Sequence, residues 1–343
     1  MTEAEQIAVA VQNGAKLSPD LRDGLEAIVR LNPSDFSARL RLLGYYTLTG
    51  GLDAATRKHE HVIALIREAP DQPILGTIIG FSLTGTGPGD ERYDAESSAW
   101  ESACQRHPTA AVFANAARFF GRYECDRAAR LYRRAAQLDP GSSAYRRDLA
   151  SVLERMGRWM EAAETYSRLF FQGDSGSDCL AVAPELINSV LFAFQPSDCR
   201  ATLDRVRASA MGFASHPRAA TVDAMLRLAS GHLHAVDGDR NLAIATLEEL
   251  APVIQVAPLD SAFQGINMGL PRAVLLWCPT LVSHFLAQIR DSEILLPTAH
   301  DKQRIVEDWL RAIRTGVTPD FERWAPCWPT HEKRVQASDE GSA

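Results

Sequence analysis

The sequence predicts an all-α protein, a solenoid of helical hairpins closed by a C-terminal helical cap that does not repeat. Three observations lead there. Prolines at 33, 70, 108 and 140 each end a helix-like segment, at separations of 37, 38 and 32 residues that bracket one helical hairpin. At three of them a large apolar residue stands eight positions upstream: Leu25, Trp100 and Tyr132. No convincing run of strand alternation interrupts the helical pattern. The 343 residues suffice for an extended repeat array, and 46% hydrophobic with 23% charged residues excludes collagen, intrinsic disorder and a disulfide miniprotein.

Along the chain, MTEAEQIAVAVQNG places Glu3 and Glu5 where a signal peptide needs positive charge, and spaces its apolar residues as on an amphipathic helix. Secretion is not expected. Helical segments then run up to Pro33 and Pro70. A helix at about 73–83 is expected to join another at about 94–106 through the glycine-rich loop Thr84–Asp94, TGTGPGDERYD. The clearest unit is 109–142, where Ala128, Tyr132, Ala135 and Pro140 in CDRAARLYRRAAQLDP give the spacing A-x3-Y-x2-A-x4-P. The next, 143–176, carries Leu149 and Ala150 on its first helix, Gly157 in the turn, and Ala162 and Tyr166 on its second. A further unit, at about 221–254, is marked by Gly238, Ala243 and Leu247.

These spacings have a physical reading: small alanines let two helices approach, the aromatic four residues on fills the gap to the next hairpin, and proline ends the helix. At these residues the chain resembles the tetratricopeptide repeat family. The resemblance implies a right-handed α-solenoid of TPR-like helical hairpins over 1–254, in 34-residue units of two antiparallel helices. It is specific over 109–176 and ends near 255. No unit has the family's first-helix Trp, and the 109–142 unit is about two residues short in its first helix. Terminal repeats need a covering element. Residues 255–334 are expected to supply one, with helices at about 271–290 and 300–315 and the aromatic end FERWAPCWP packed over the last hairpin. The tail 335–343 is expected to be disordered.

The stretch Ala273–Ile289 is broken by Pro279, Thr280, Ser283 and His284 and falls short of the ~20 apolar residues of a membrane span. It reads as a buried helix pair. Cysteines 104, 125, 179, 199, 278 and 327 make no C-x-x-C pair, so neither zinc nor a disulfide framework is suggested, and reduced thiols in a cytoplasmic compartment fit best. The cations are 32 Arg and only 4 Lys, which hints at a GC-rich bacterial origin.

Catalytic signatures are missing from the sequence. His59 and His61, like His232 and His234, stand two residues apart, which on a helix turns them about 200° from each other and denies a shared metal. The loop glycines lack the strand and the Lys-Ser/Thr of a P-loop, and no nucleophile elbow, kinase set or dinucleotide fingerprint is present. No cofactor and no metal are expected.

The informative charge feature is local. Residues 111–170 hold 11 Arg and 7 acids, net +4, whereas 1–110 and 171–300 are each net −5, and the whole chain is −7. In repeats of this kind the first helix of each hairpin lines the concave face. There Asn115, Arg118 and Arg122 stand at i, i+3, i+7, and Arg147, Ser151 and Glu154 at i, i+4, i+7. Stacked hairpins would align them into one polar stripe, in which arginine forks hold carboxylates. Pairing with Asp126, Asp148 or Glu154 is the plain alternative. Family members that bind chaperone C-termini use a Lys/Asn carboxylate clamp. The positions here are Arg147, Asp148 and Ser151, so that role does not transfer. Nucleic acid is not expected either, because aromatics are not interleaved with the arginines on one exposed face.

The expected function is a non-catalytic interaction scaffold whose groove holds an acidic peptide or protein partner, with no membrane association. The alternative is an enzyme or ligand-binding protein with a site between the solenoid and the C-terminal helices, using Cys278, His284, Asp301 and Arg304. Homo-oligomerisation through an uncovered repeat face is a further option. Its sign would be exposure of Phe119, Phe120, Phe170 or Phe171.

Overall fold

A computed structural model describes residues 3–49, 51–77, 87–173, 176–193, 195–256, 269–291 and 300–321. Every regular element among them is helical, and the chain divides into two compact units, Met1–Met156 and Gly157–Ala343.

The first unit holds α1 (Glu3–Gly14), α2 (Pro19–Leu31), α3 (Phe36–Thr49), α4 (Leu52–Glu68), a 3-10 turn at Pro73–Gly76, α5 (Glu91–Arg106), α6 (Ala110–Phe120), α7 (Cys125–Leu138) and α8 (Ser143–Arg155). Side-chain oxygens start several of these helices by taking amide protons left over in the first turn. Ser18 accepts from Leu21 with Pro19 in the first turn of α2, Asp35 accepts from Ala38, Asp90 from Arg92 and Tyr93, and Thr109 from Val112.

The four prolines act as the sequence predicts, and they act alike. The residues before Pro33, Pro70, Pro108 and Pro140 are the C-caps Asn32, Ala69, His107 and Asp139, with φ of −129°, −144°, −130° and −129° and ψ of 84°, 62°, 70° and 82°. Each cap donates its N–H to the carbonyl four residues back. A proline ring crowds the residue before it out of the α region, so one sequence feature yields one backbone geometry four times. The positions eight residues upstream, Leu25, Val62, Trp100 and Tyr132, are all buried.

Packing in this unit passes along the chain, with α1 resting on α3. α3 lies against α1, α2 and α4, α4 against α5, α5 against α6, α6 against α7, and α7 against α8. The core runs through Leu42, Leu43, Leu65, Ile66, Trp100 and Phe120. The helix expected over 73–83 is, in its described part, a single 3-10 turn, and α5 begins at Glu91 rather than 94 because Asp90 caps it. Residues 78–83 of that expected helix and 84–86 of the expected loop lie outside the described residues.

The second unit holds α9 (Trp159–Gln172), α10 (Gly176–Ala193), α11 (Pro196–Met211), α12 (Ala219–Val236), α13 (Arg240–Val256), α14 (Gly269–Leu275), α15 (Pro279–Asp291) and α16 (His300–Arg314). α10 packs on α9, and α12 is packed by α10, α11, α13 and α14. The expected helix pair is α14 and α15, split ahead of Pro279, and the expected helix at 300–315 is α16. Beyond α16 the chain turns back. Trp309 donates its indole N–H to the Asp320 carbonyl at 2.9 Å and meets the Phe321 ring at 5.0 Å. The rest of FERWAPCWP and the tail 335–343 lie outside the described residues.

The aromatic sign of an uncovered repeat face is not met. Phe119, Phe120 and Phe170 are buried, and Phe171 is half-buried with the Arg205 guanidinium 4.3 Å above its ring.

Candidate functional site

α6 is built from small residues, AAVFANAARFF, so that most of its surface sinks between its neighbours. This decides the fate of the predicted stripe. Asn115 is only 2% exposed, and its amide donates to the carbonyls of Pro70 and Gln72, both at 3.0 Å. It is a bracket holding the segment after α4, and it does not face a ligand. Gly76 completes the bracket, since a Cβ there would meet the Arg118 and Asn115 side chains at 2.4 and 2.9 Å.

Three positions further along α6, Arg118 reaches across to Asp148 of α8 at 2.9 Å. The pair is partly exposed and ties α6 to α8. Tyr132 of α7 lies with it, its hydroxyl held well above the ordinary phenol range by burial and by the Asp148 carboxylate. Arg155, at the end of α8, donates to the Gly121 carbonyl and stands 3.1 Å from the Cys125 sulfur. Arg122 and Arg147 are exposed and form no ion pair among the described residues, although Arg122 lies 5.3 Å from the Tyr123 ring centre. Ser151 is exposed and Glu154 half-buried. The expected i, i+3, i+7 stripe does not form, because α6 ends at Phe120 and Arg122 lies in the turn after it; the exposed guanidinium groups are Arg122 in that turn and Arg147 on α8, with Arg118 tied to Asp148. Such an arrangement can hold carboxylates by bidentate hydrogen bonds.

The alternative set is scattered along the last helices. Cys278 precedes α15, half-buried, with its sulfur 3.7 Å from the Thr280 hydroxyl, and the exposed His284 ring lies 3.5 Å from the Gln288 amide. Both contacts are local to one end of one helix. Arg304 is exposed on α16, and the side chain of Asp301 lies outside the described residues. Among the described residues no group of three or more His, Cys, Asp or Glu could hold a metal.

The most concentrated ionisable chemistry lies elsewhere, across α2 to α5. His59 and His61 turn to opposite neighbours, as their spacing predicts. The His59 Nδ1 meets the buried Glu96 of α5 at 2.8 Å, and the His61 Nε2 meets Glu26 of α2 at 3.1 Å. Tyr46 of α3 donates to the same Glu26 oxygen at 2.6 Å and stacks on the His61 ring, 5.8 Å between centres. Arg39 sets its Nη1 3.5 Å from the His61 Nδ1, donates its Nε to the Pro33 carbonyl at 2.8 Å and lies 3.8 Å from Glu68.

The His61 tautomer follows from the partners. A guanidinium can only donate, so Nδ1 accepts and Nε2 carries the proton that Glu26 receives. Chiefly through this bond, helped by Tyr46 against the opposing cost of burial, the Glu26 carboxyl is held down to about 2. Burial and the Glu26 carboxylate push the Tyr46 hydroxyl up, and burial pulls the Lys58 amine down despite the nearby Glu96. Both ring nitrogens of His61 are engaged, so no imidazole nitrogen remains there to take a substrate's proton. The seam is a structural lock that joins α2 to α3 and α4, and α4 to α5. The sequence marks its histidines but not their partners, because 35 and 37 residues separate His61 from Glu26 and His59 from Glu96.

Among the described residues no helix is long and apolar enough to cross a membrane. Neither a scan against protein-family models nor a search of curated proteins returns a match for this chain.

Proposed function

We propose that this chain is a tetratricopeptide-like helical repeat protein that acts as a non-catalytic interaction scaffold, holding an acidic peptide segment of a protein partner along α6 and α8. The observation that carries the reading is the pairing of Arg118 with Asp148, which joins α6 to α8 while Arg122, in the turn after α6, and Arg147, on α8, stay exposed. The four repeated C-caps support the repeat reading. A preformed helical surface limits the entropic cost of binding to ordering of the peptide. Arginine forks select carboxylates over neutral groups. This surface differs from the stripe expected from the sequence: Arg122, in the turn after α6, with Arg147 and Ser151 of α8 make the surface, Arg118 ties α6 to α8, and Asn115 stays inside.

The test is selection of a displayed random-peptide library on the full chain, with Arg122→Glu/Arg147→Glu beside it and circular dichroism establishing equal helicity. Enrichment of Asp- and Glu-rich peptides that the double variant loses, with affinity falling as salt rises, is the expected result. No enrichment, or enrichment that the double variant retains, overturns the proposal.

A further inference from the structure

We infer that the outer face of α2 is a self-association surface that pairs antiparallel with α2 of a second copy of this chain. α2 is amphipathic in an unusual sense. One side, Leu25 and Val29, is buried against the rest of the unit. Flanking it, Leu21, Ile28 and Leu31 are 59%, 44% and 88% exposed, and Gly24 lies on the same strip with nothing within 4 Å of the place its Cβ would take. These four stand at i, i+3, i+7 and i+10, one continuous helical stripe. Ala27, exposed beside them, keeps the surface low.

The pattern selects its occupant. Its midpoint along the helix is residue 26, so an antiparallel mate places Ile28 of one copy over Gly24 of the other, and Leu21 over Leu31, twice by symmetry. Each isoleucine is then a knob and each glycine a hole, as close helix packing requires. A parallel mate would set glycine on glycine and isoleucine on isoleucine, leaving a gap beside a clash. Charge agrees. Asp20 and Arg30 are exposed at opposite ends of α2, and antiparallel pairing brings Asp20 of each copy toward Arg30 of the other. A 13-residue helix supplies an interface at the small end of the stable range, so the dimer is a weak one whose population follows concentration.

Sedimentation velocity of the full chain from about 1 μM to about 500 μM reads it directly. The wild type is expected to shift from monomer toward dimer across that range. Ile28→Glu is expected to weaken the dimer at least about tenfold, and Gly24→Leu, which fills the hole from a solvent-facing position without touching the fold, is expected to do the same. Asp20→Arg and Arg30→Asp are each expected to weaken association, and the double exchange to restore it, a rescue that only pairing of α2 with another α2 provides. A wild type that stays monomeric throughout, a dimer indifferent to Ile28→Glu and Gly24→Leu, or a double exchange without rescue overturns the inference.

Discussion

Two single residues carry consequences out of proportion to their size, and both act through buried polar atoms. Asn115 donates to the carbonyls of Pro70 and Gln72, the second of which also accepts from the Leu75 N–H at 3.1 Å, so Asn115→Ala removes two buried hydrogen bonds at a cost of about 2 kcal/mol. Asn115→Asp is expected to cost more, because it turns an acceptor toward two acceptors, and urea unfolding of the three proteins checks that order. Glu26 makes the molecule sensitive to acid. Its carboxyl sits near 2 in the folded state against an ordinary 4.5, so its bonds stabilise the fold fully above about 4.5, and that contribution is lost as the pH falls through about 2. Discounted for the partial exposure of the carboxylate, the loss is on the order of 2 kcal/mol. Unfolding free energies measured from pH 5 to pH 2 should show a slope that Glu26→Gln removes, and an unchanged slope in that variant would refute the assignment. Neither residue announces its role in the sequence. An asparagine at a helical i, i+3, i+7 spacing reads as a surface stripe, and only the crowding of α6 by its neighbours turns Asn115 inward.

At the scale of helices, what is legible is what acts locally. A proline constrains the residue before it wherever it occurs, so the four segment ends and their common cap follow from sequence alone. Glycines that permit close approach are different, because their role depends on the partner. α1 crosses α3 at Gly14 and Gly44: a Cβ on Gly14 would lie 1.9 Å from the Arg41 carbonyl oxygen, and one on Gly44 2.0 Å from the Val11 carbonyl oxygen. Backbone cannot yield as a side-chain tip can. Gly44→Ala is therefore expected to lift α1 from α3, uncovering Ile7 and Val11, at a cost of about 3 kcal/mol. Adding Gly14→Ala should cost little more, since both substitutions act on one crossing that the first has already opened. Gly24→Ala is the control, expected to raise stability by about 0.5 to 1 kcal/mol because it only improves helix propensity at an open position. Thermal unfolding with limited proteolysis of the N-terminal segment separates these outcomes. Equal stability of Gly44→Ala and wild type would sink the account of the crossing.

At the scale of the whole molecule, the all-helical class, the pair of helices around Pro279 and the helix at 300–314 were legible because hydrophobic period and proline placement are properties of short windows. The 3-10 turn at Pro73–Gly76 was not, because Asn115, more than 40 residues away, holds its approach. The seams at Glu26 and Glu96 escaped for the same reason. What sequence separation hides, the order of packing makes testable. Apart from α1, which rests on α3, each helix of the first unit rests mainly on its neighbours in the chain, so stability there should be a sum of local terms, and damage should spread by distance along the array. Leu42, fully buried in α3, is the place to inflict it. Leu42→Ala removes about 3 kcal/mol of packing. If the array is quasi-one-dimensional, hydrogen exchange should quicken most in α1 to α4, less in α5, and least in α6 to α8. Uniform quickening across the first unit would mean a single cooperative core instead, and α6 and α8 could then not keep a binding surface in place while the N-terminal helices open.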